Sequence, residues 1–251
     1  MNDFQWNVFL KFKDEFKNLC KQWSQFSNEL YPLQKEAAKD TPDYILETSV
    51  VYNKSYDEIQ KKDKINFIII GDNPGKDEQL AANQKYLVGQ SGKIAEGFFR
   101  RNPELDTDFR KNVLILNKTP VHTAKTVQLK YILKNGSKEI VNLINESQKK
   151  MAQLAFELHN GFLSSSEDNF PELWLIGYSE LKKNGIFSEY RNELKKHYEG
   201  FNSWNKVFVY QHFSMNRFIV DLNEFRKDSN LPLKKCLEKI GQIHKNEIFG
   251  S

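Results

Sequence analysis

Polar residues with useful chemistry follow three of the four short apolar runs in this 251-residue chain. Asp72 and Asn73 come directly after the first run, Asn117 ends the second, and His212 follows the fourth. A carboxylate can act as a base, an amide is both a donor and an acceptor, and an imidazole can donate a hydrogen bond or transfer a proton. The chain therefore carries a candidate set for acid–base or polar-recognition chemistry.

The elements that must position these residues are strands alternating with helices. The four apolar runs, each rich in Ile, Val, Leu and aromatic residues, are Ile65–Ile70, Val113–Leu116, Leu173–Ile176 and Val207–Tyr210. Helix-like segments separate them at 92–101, 138–159 and 179–197, and two more helices are predicted at 215–226 and 231–244. This alternation predicts an α/β three-layer sandwich around a central four-stranded parallel sheet. Ligands bind outside the carboxyl ends of such strands, where the polar residues stand.

The first 60 residues have helical periodicity. Apolar residues recur at steps of three and four, at Phe9, Phe12, Phe16, Leu19, Trp23 and Phe26. We therefore predict an N-terminal helical extension over residues 1–60, packed by this stripe on an α/β domain over residues 61–251.

Composition excludes several classes of protein. The chain has 37 Lys and Arg against 33 Asp and Glu, a formal charge of +4, with 39% hydrophobic and 28% charged residues. A disordered chain and a membrane protein are excluded, since the longest apolar run, at 67–70, is far too short to span a bilayer. The N-terminus lacks the pattern of a signal peptide. With only Cys20 and Cys236, we expect no disulfide framework, no metal or iron–sulfur site, no cofactor and a reducing, cytoplasmic compartment.

The strand ends, taken in order, resemble motifs of the uracil-DNA glycosylase superfamily. They are Gly-Asp-Asn-Pro-Gly at 71–75, apolar-apolar-Leu-Asn at 114–117 and His-X-Ser at 212–214. The family's first motif takes forms such as Gly-Gln-Asp-Pro-Tyr and Gly-X-Asn-Pro-Gly, and its last is typically His-Pro-Ser. The stretch at 85–92 also resembles the Pro-Phe-Val-Gly-X-Ala-Gly segment of the thermostable, iron–sulfur branch. The resemblance covers roughly residues 65–218.

The resemblance implies hydrolysis of the N-glycosidic bond of uracil, or a related deaminated base, flipped out of single- or double-stranded DNA. This reaction would start base-excision repair. We expect a monomer that has DNA as its partner and does not bind a membrane. The resemblance further implies that Asn73 holds the water, with Asp72 either supplying a carboxylate or capping the turn. His212 would donate a hydrogen bond to the base carbonyl as negative charge develops.

The resemblance also implies a set of substrate contacts. Tyr86 would stack on the flipped base, and Asn117 would pair with the pyrimidine edge. Gly75 stands where the most uracil-restricted branch has a Tyr that excludes the thymine methyl group, so that volume is open. The remaining substrate-binding residues would be Gly71, Pro74 and Ser214, the last also a candidate N-cap of the following helix. The wedge that fills the gap left in the DNA would be Met215, Asn216 and Arg217.

Two departures leave alternatives open. Phe213 replaces the family's usual Pro, which removes a restriction on the backbone of the last motif, and the four cysteines of the iron–sulfur branch are absent. One alternative is a catalytically inactive DNA-binding or interaction protein with the same fold. Another is a nucleotide- or sugar-phosphate-binding α/β enzyme, although the glycines at 71, 75, 89 and 92 do not form a Walker-type loop.

Overall fold

The computed structural model describes residues 1–42, 44–163, 170–227 and 229–250. At its centre is an all-parallel sheet with the strand order β2-β1-β3-β4. The strands are β1 (Phe67–Gly71), β2 (Val113–Asn117), β3 (Glu172–Ile176) and β4 (Val207–Tyr210). The predicted parallel α/β sheet is confirmed, with the first strand beginning two residues later than expected.

Helices flank this sheet and precede it. They are α1 (Asp3–Trp23), α2 (Ser27–Ala37), α3 (Gln90–Arg101), α4 (Leu129–Asn135), α5 (Lys138–Leu163), α6 (Ser188–His197), α7 (Arg217–Lys227) and α8 (Leu233–Phe249).

Three helices begin later than the sequence predicts, and the one expected from residue 231 begins at Leu233, directly after Pro232. The helix expected from residue 179 begins at Ser188, because a short 3-10 turn at Tyr178–Leu181 is followed by a tight return of the chain at Gly185. The helix expected from residue 215 begins at Arg217, because Met215 and Asn216 have φ angles of 52° and 55°, which a right-handed helix does not contain.

One face of the sheet carries a continuous aromatic layer. Trp174 lies 4.7 Å, centroid to centroid, from Phe67 and 4.9 Å from Tyr210. The same indole packs at 5.7 Å on Phe99 of α3 and at 5.9 Å on Phe218 of α7. The opposite face carries Ile68 and Ile70, which are fully buried too. Both faces are therefore covered, as a parallel sheet requires.

The N-terminal segment shares its core with the sheet. Phe9, Phe12 and Phe16 of α1 are buried, and all three pack against Tyr56, whose hydroxyl donates to the carbonyl oxygen of Ile115 in β2 at 2.6 Å. These residues belong to one hydrophobic cluster with the strands. The predicted apolar stripe of α1 thus faces the interior of the protein.

None of the helices in the described part of the chain combines the length and the hydrophobicity needed to cross a membrane.

Gly241 of α8 should not accept a side chain. A Cβ atom there would lie 2.7 Å from both the Phe208 Cβ and the Tyr210 hydroxyl of β4. We expect Gly241→Ala to lower the free energy of unfolding by about 1–3 kcal/mol through overpacking, although alanine favours helix. Urea denaturation measures this, with Lys239→Ala on the exposed side of the same helix as the control. An unchanged or increased stability of Gly241→Ala would contradict the tight contact.

Candidate active site

The carboxyl ends of the four strands open into one cavity of about 620 Å³. Residues that follow each of the four strands line it, as expected for an open parallel sheet. The lining consists of Asp72, Asn73, Gly75, Glu78, Leu87, Ser91, Asn117, Thr123, Ala124, Lys125, Thr126, Gly177, Ser179, Glu180, Gln211, His212, Ser214, Met215 and Arg217. The residues predicted from the strand ends, Asn73, Asn117 and His212, lie together in this wall.

Asp72 forms an ion pair with a lysine that lies under the cavity. Lys118 is fully buried, and its Nζ lies 2.6 Å from Asp72 Oδ1. The same ammonium donates to the carbonyl oxygen of Ile176 at the end of β3, also at 2.6 Å. Burial lowers the pKa of Lys118, and the charge of Asp72 opposes that effect. Asp72 therefore neither caps the turn nor stands free, and only its Oδ2, 3.4 Å from the Thr126 hydroxyl, remains available to the cavity.

The amide of Asn73 is held in one orientation. Its Nδ2 donates to the Thr123 hydroxyl at 2.8 Å and has the carbonyl oxygens of Pro74, Val121 and Thr123 within 3.5 Å. Four acceptors around one atom identify it as the nitrogen. The Oδ1 atom has no partner among the described residues, so it is a free acceptor that can hold a water molecule.

Asn117 presents an unpaired hydrogen-bond donor to the cavity. The residue is 2% exposed, lines the cavity, and its Nδ2 has no hydrogen-bond partner in the described part of the chain. Leaving such a donor unpaired costs about 1–3 kcal/mol, so a bound group that accepts its hydrogen bond would recover this energy. The close approach of Gly71 to the Asn117 side chain leaves no room for a Cβ at position 71.

His212 presents a single hydrogen-bond donor. The Ser214 backbone N–H donates to His212 Nδ1 at 3.0 Å, so this nitrogen carries no proton and Nε2 carries it instead. Nε2 has no partner among the described residues. Burial lowers the pKa of His212; Asp72 raises it and Lys118 lowers it further. A neutral imidazole with its N–H free is thus the form that lines the cavity.

The expectation for Tyr86 needs correction. Its ring is buried in the core, its hydroxyl donates to the Val51 carbonyl oxygen at 2.6 Å, and it does not line the cavity. The next residue, Leu87, lines the cavity instead, with a φ of 52°. The tight turn needs Gly92 beside it, since a Cβ there would collide with the Leu87 carbonyl. The structure therefore offers a leucine where an aromatic stacking platform was expected.

Four other predicted contacts act through the backbone or through neighbours. Gly71 and Pro74 lie beside the cavity without lining it, and Pro74 uses its carbonyl oxygen to hold His122 Nδ1 at 2.8 Å. Gly75 lines the cavity and leaves its side open. Ser214 is not the N-cap of α7; its hydroxyl bonds His212 Nδ1 at 2.8 Å and fixes that ring.

The predicted wedge residues project from a strained turn. Met215 is 76% exposed at the rim, and Met215 and Asn216 both have left-handed φ angles. Two such non-glycine residues in succession persist only where the surroundings hold them. Phe213 supplies part of this hold, because its ring is fully buried and lies 4.6 Å from that of Phe218. Burial thus restrains the turn that lacks the usual proline.

Sequence reasoning missed two charged residues of the site. Lys118 directly follows Asn117, and Glu78 is three residues beyond Gly75, so adjacency to the motifs was the available signal. Glu78 is buried in the cavity wall, and burial raises its pKa to about 7. Two exposed cations, Lys125 and Arg217, line the cavity at its rim. Acids and amides therefore form the interior, with positive charge at the opening.

Comparison with known proteins gave no relative from which a function could be assigned. No family model matches the chain, and neither the curated proteins nor the solved structures give a significant match.

Breaking the buried ion pair should destabilise the protein. We expect Lys118→Met to lower the free energy of unfolding by about 3 kcal/mol, because it leaves the Asp72 carboxylate without its partner. The double variant with Asp72→Asn should lose less than the sum of the two single changes. A double-mutant cycle by urea denaturation measures the coupling, with Lys11→Met in an exposed ion pair as the control. Simple additivity would show that the pair is not coupled.

His122 should make stability depend on pH. Burial lowers the pKa of His122 to about 4, from about 6.5 in an unfolded chain. As the pH falls from about 6.5 to 4, His122 binds a proton in the unfolded chain but not in the folded protein. The free energy of unfolding then falls by about 1.4 kcal/mol per pH unit, about 3 kcal/mol in all.

Stability measured against pH for His122→Asn tests this effect. The slope between pH 6.5 and 4 should be shallower than in the parent by about 1.4 kcal/mol per pH unit. Val220→Ala, an exposed residue of α7 without a titratable group, is the control and should keep the parent slope. Equal slopes for parent and His122→Asn would contradict the assignment.

Proposed function

We propose that the protein is a monofunctional DNA glycosylase that hydrolyses the N-glycosidic bond of uracil, or of a related deaminated base, flipped out of DNA. The observation that carries the proposal is the unpaired amide of Asn117 in the same cavity wall as the free Nε2–H of His212. A uracil ring offers the matching groups, since its imide N–H lies between two carbonyl oxygens. The motif order along the chain supports the same reading.

Each polar group has a role in this reaction. Asn117 pairs with the base edge, and His212 donates from Nε2 to a carbonyl oxygen of the base as negative charge builds there. Asn73 accepts a hydrogen bond from the attacking water through Oδ1, and Asp72 stabilises the positive charge on the sugar. The bond from C1′ to the base breaks with its electrons on the base, the water oxygen bonds C1′, and Asp72 Oδ2 takes the surplus proton.

The distribution of charge supports a DNA substrate. Lys125 and Arg217 stand at the rim, where the phosphates that flank a flipped nucleotide would lie. Asp72 lies inside, where the sugar develops positive charge. Met215, exposed beside the opening, is an apolar side chain that could enter the stack in place of the base.

One observation favours the alternative of a DNA-binding protein without hydrolysis. No Phe, Tyr or Trp is among the described residues that line the cavity, so Leu87 is the candidate contact for the face of a base. Aromatic stacking is worth about 1–3 kcal/mol per base, and its loss would weaken capture of the flipped base.

Excision of uracil from oligonucleotides tests the proposal. The purified chain in excess should convert a uracil-containing strand into an alkali-labile abasic product under single-turnover conditions. We expect Asn117→Ala and His212→Ala each to reduce the rate about 100-fold or more, as the loss of one preorganised donor does. His197→Ala, outside the cavity, serves as the matched control.

Intact substrate after prolonged incubation, in both single and double strands, would contradict the glycosylase. Salt-dependent binding of the same DNA without base release would then identify the non-catalytic alternative.

A further inference from the structure

Glu78 is a buried carboxyl group in the cavity wall that the reaction described above leaves without a role. It is 7% exposed, and its Oε2 accepts a hydrogen bond from the Gly75 backbone N–H at 3.3 Å. This bond holds the carboxyl against the turn at residues 71–75, and Leu87 lines the same cavity.

The open side of Gly75 leads to this carboxyl. A Cβ on Gly75 would have no neighbour closer than Glu78 Oε1, at 4.0 Å. The space that a larger side chain at position 75 would fill therefore ends at Glu78 Oε1. This oxygen accepts no hydrogen bond from another side chain in the described part of the protein. A base wider than a pyrimidine would place a polar ring atom against it.

The surroundings of Glu78 bring its titration close to neutral pH. Burial is the largest cause of its raised pKa, about 7; Asp77 in the same turn adds to the effect, and Arg110 opposes it. Arg110 stands behind the site, where its Nη2 donates to the Leu87 carbonyl oxygen at 2.8 Å.

Further titratable and charged groups face the cavity: Asp72 after the same strand, and Lys125, Glu180, His212 and Arg217 after the other three, with Lys118 beneath. None of these basic groups forms an ion pair with Glu78, so the carboxyl can hold and release a proton.

A proton donor at this place matters for one class of base. Uracil can depart as an anion, because its two carbonyl oxygens share the charge. A purine departs more readily when a ring nitrogen is protonated as the glycosidic bond breaks. A positioned general acid contributes about 10²–10⁴-fold to such a step.

We propose that Glu78 is the general acid for release of a deaminated purine, hypoxanthine, so that this cavity removes a purine as well as uracil. The inference rests on the proposed glycosylase function. The bond from C1′ to N9 breaks with its electrons on the purine, and the Glu78 proton moves to N7. The oxygen of the water held by Asn73 bonds C1′, and its surplus proton returns through the solvent of the cavity to the Glu78 carboxylate.

The test compares two oligonucleotides that differ only in the target base, uracil or hypoxanthine, using the full chain under single-turnover conditions from pH 5.5 to 8.5. The parent should release both bases, and its hypoxanthine rate should fall about tenfold per pH unit above pH 7, as the acid form of Glu78 is lost. Glu78→Gln keeps an oxygen for the Gly75 N–H group but has no acidic proton to transfer.

Glu78→Gln should lower the ratio of hypoxanthine to uracil rates at least 30-fold and remove the alkaline fall. Glu104→Gln, an exposed carboxyl outside the cavity, is the control and should keep the parent ratio. Circular dichroism and thermal unfolding establish that both variants are folded.

The outcomes separate this inference from the function on which it rests. Release of uracil without hypoxanthine by the parent would overturn the role of Glu78 and leave the glycosylase standing. An equal loss of both rates in Glu78→Gln would assign Glu78 to holding the turn and overturn the role too. Release of neither base by the parent would overturn both proposals.

Discussion

The carboxyl edge of the sheet depends on the buried ion pair between Lys118 and Asp72. The lysine follows β2, its carboxylate partner follows β1, and its second strong bond goes to Ile176 at the end of β3. An ammonium without partners in this interior would cost several kcal/mol, so the ion pair favours the arrangement in which these three strand ends meet. That arrangement directs one Asp72 oxygen, together with Asn73 and Asn117, into a common cavity.

Polarity inside the cavity follows from this arrangement. One carboxylate is charged and paired, a second, Glu78, is desolvated with its pKa raised to about 7, and the imidazole of His212 is kept neutral by burial. An ion-paired carboxylate and a desolvated carboxyl group can serve different steps of one reaction. Positive charge is left to the rim, at Lys125 and Arg217. The cavity therefore has positive charge at its opening and acidic groups in its interior.

The N-terminal segment supports the turn at residues 71–75 from the side away from the cavity. Gln34 of α2 donates to the carbonyl oxygens of Ser49 and His122, and His122 is bonded through its two ring nitrogens to Pro74 and to the Tyr44 hydroxyl. Because these bonds fix backbone atoms, the turn that carries Asn73 does not rely on its own sequence for rigidity. The helices before the sheet thus support the site without contributing a side chain to it.

Sequence alone determined the parallel sheet and the convergence of Asn73, Asn117 and His212, because short apolar runs form buried strands and parallel strands end at one edge. Only the tertiary structure decided the partner of Lys118, which is remote in sequence, and the exchange of Tyr86 for Leu87 in the cavity wall. Pairing across the sheet and a left-handed turn are set by packing between distant segments. Neither the partner of Lys118 nor the turn at Leu87 can be predicted from local periodicity in the sequence.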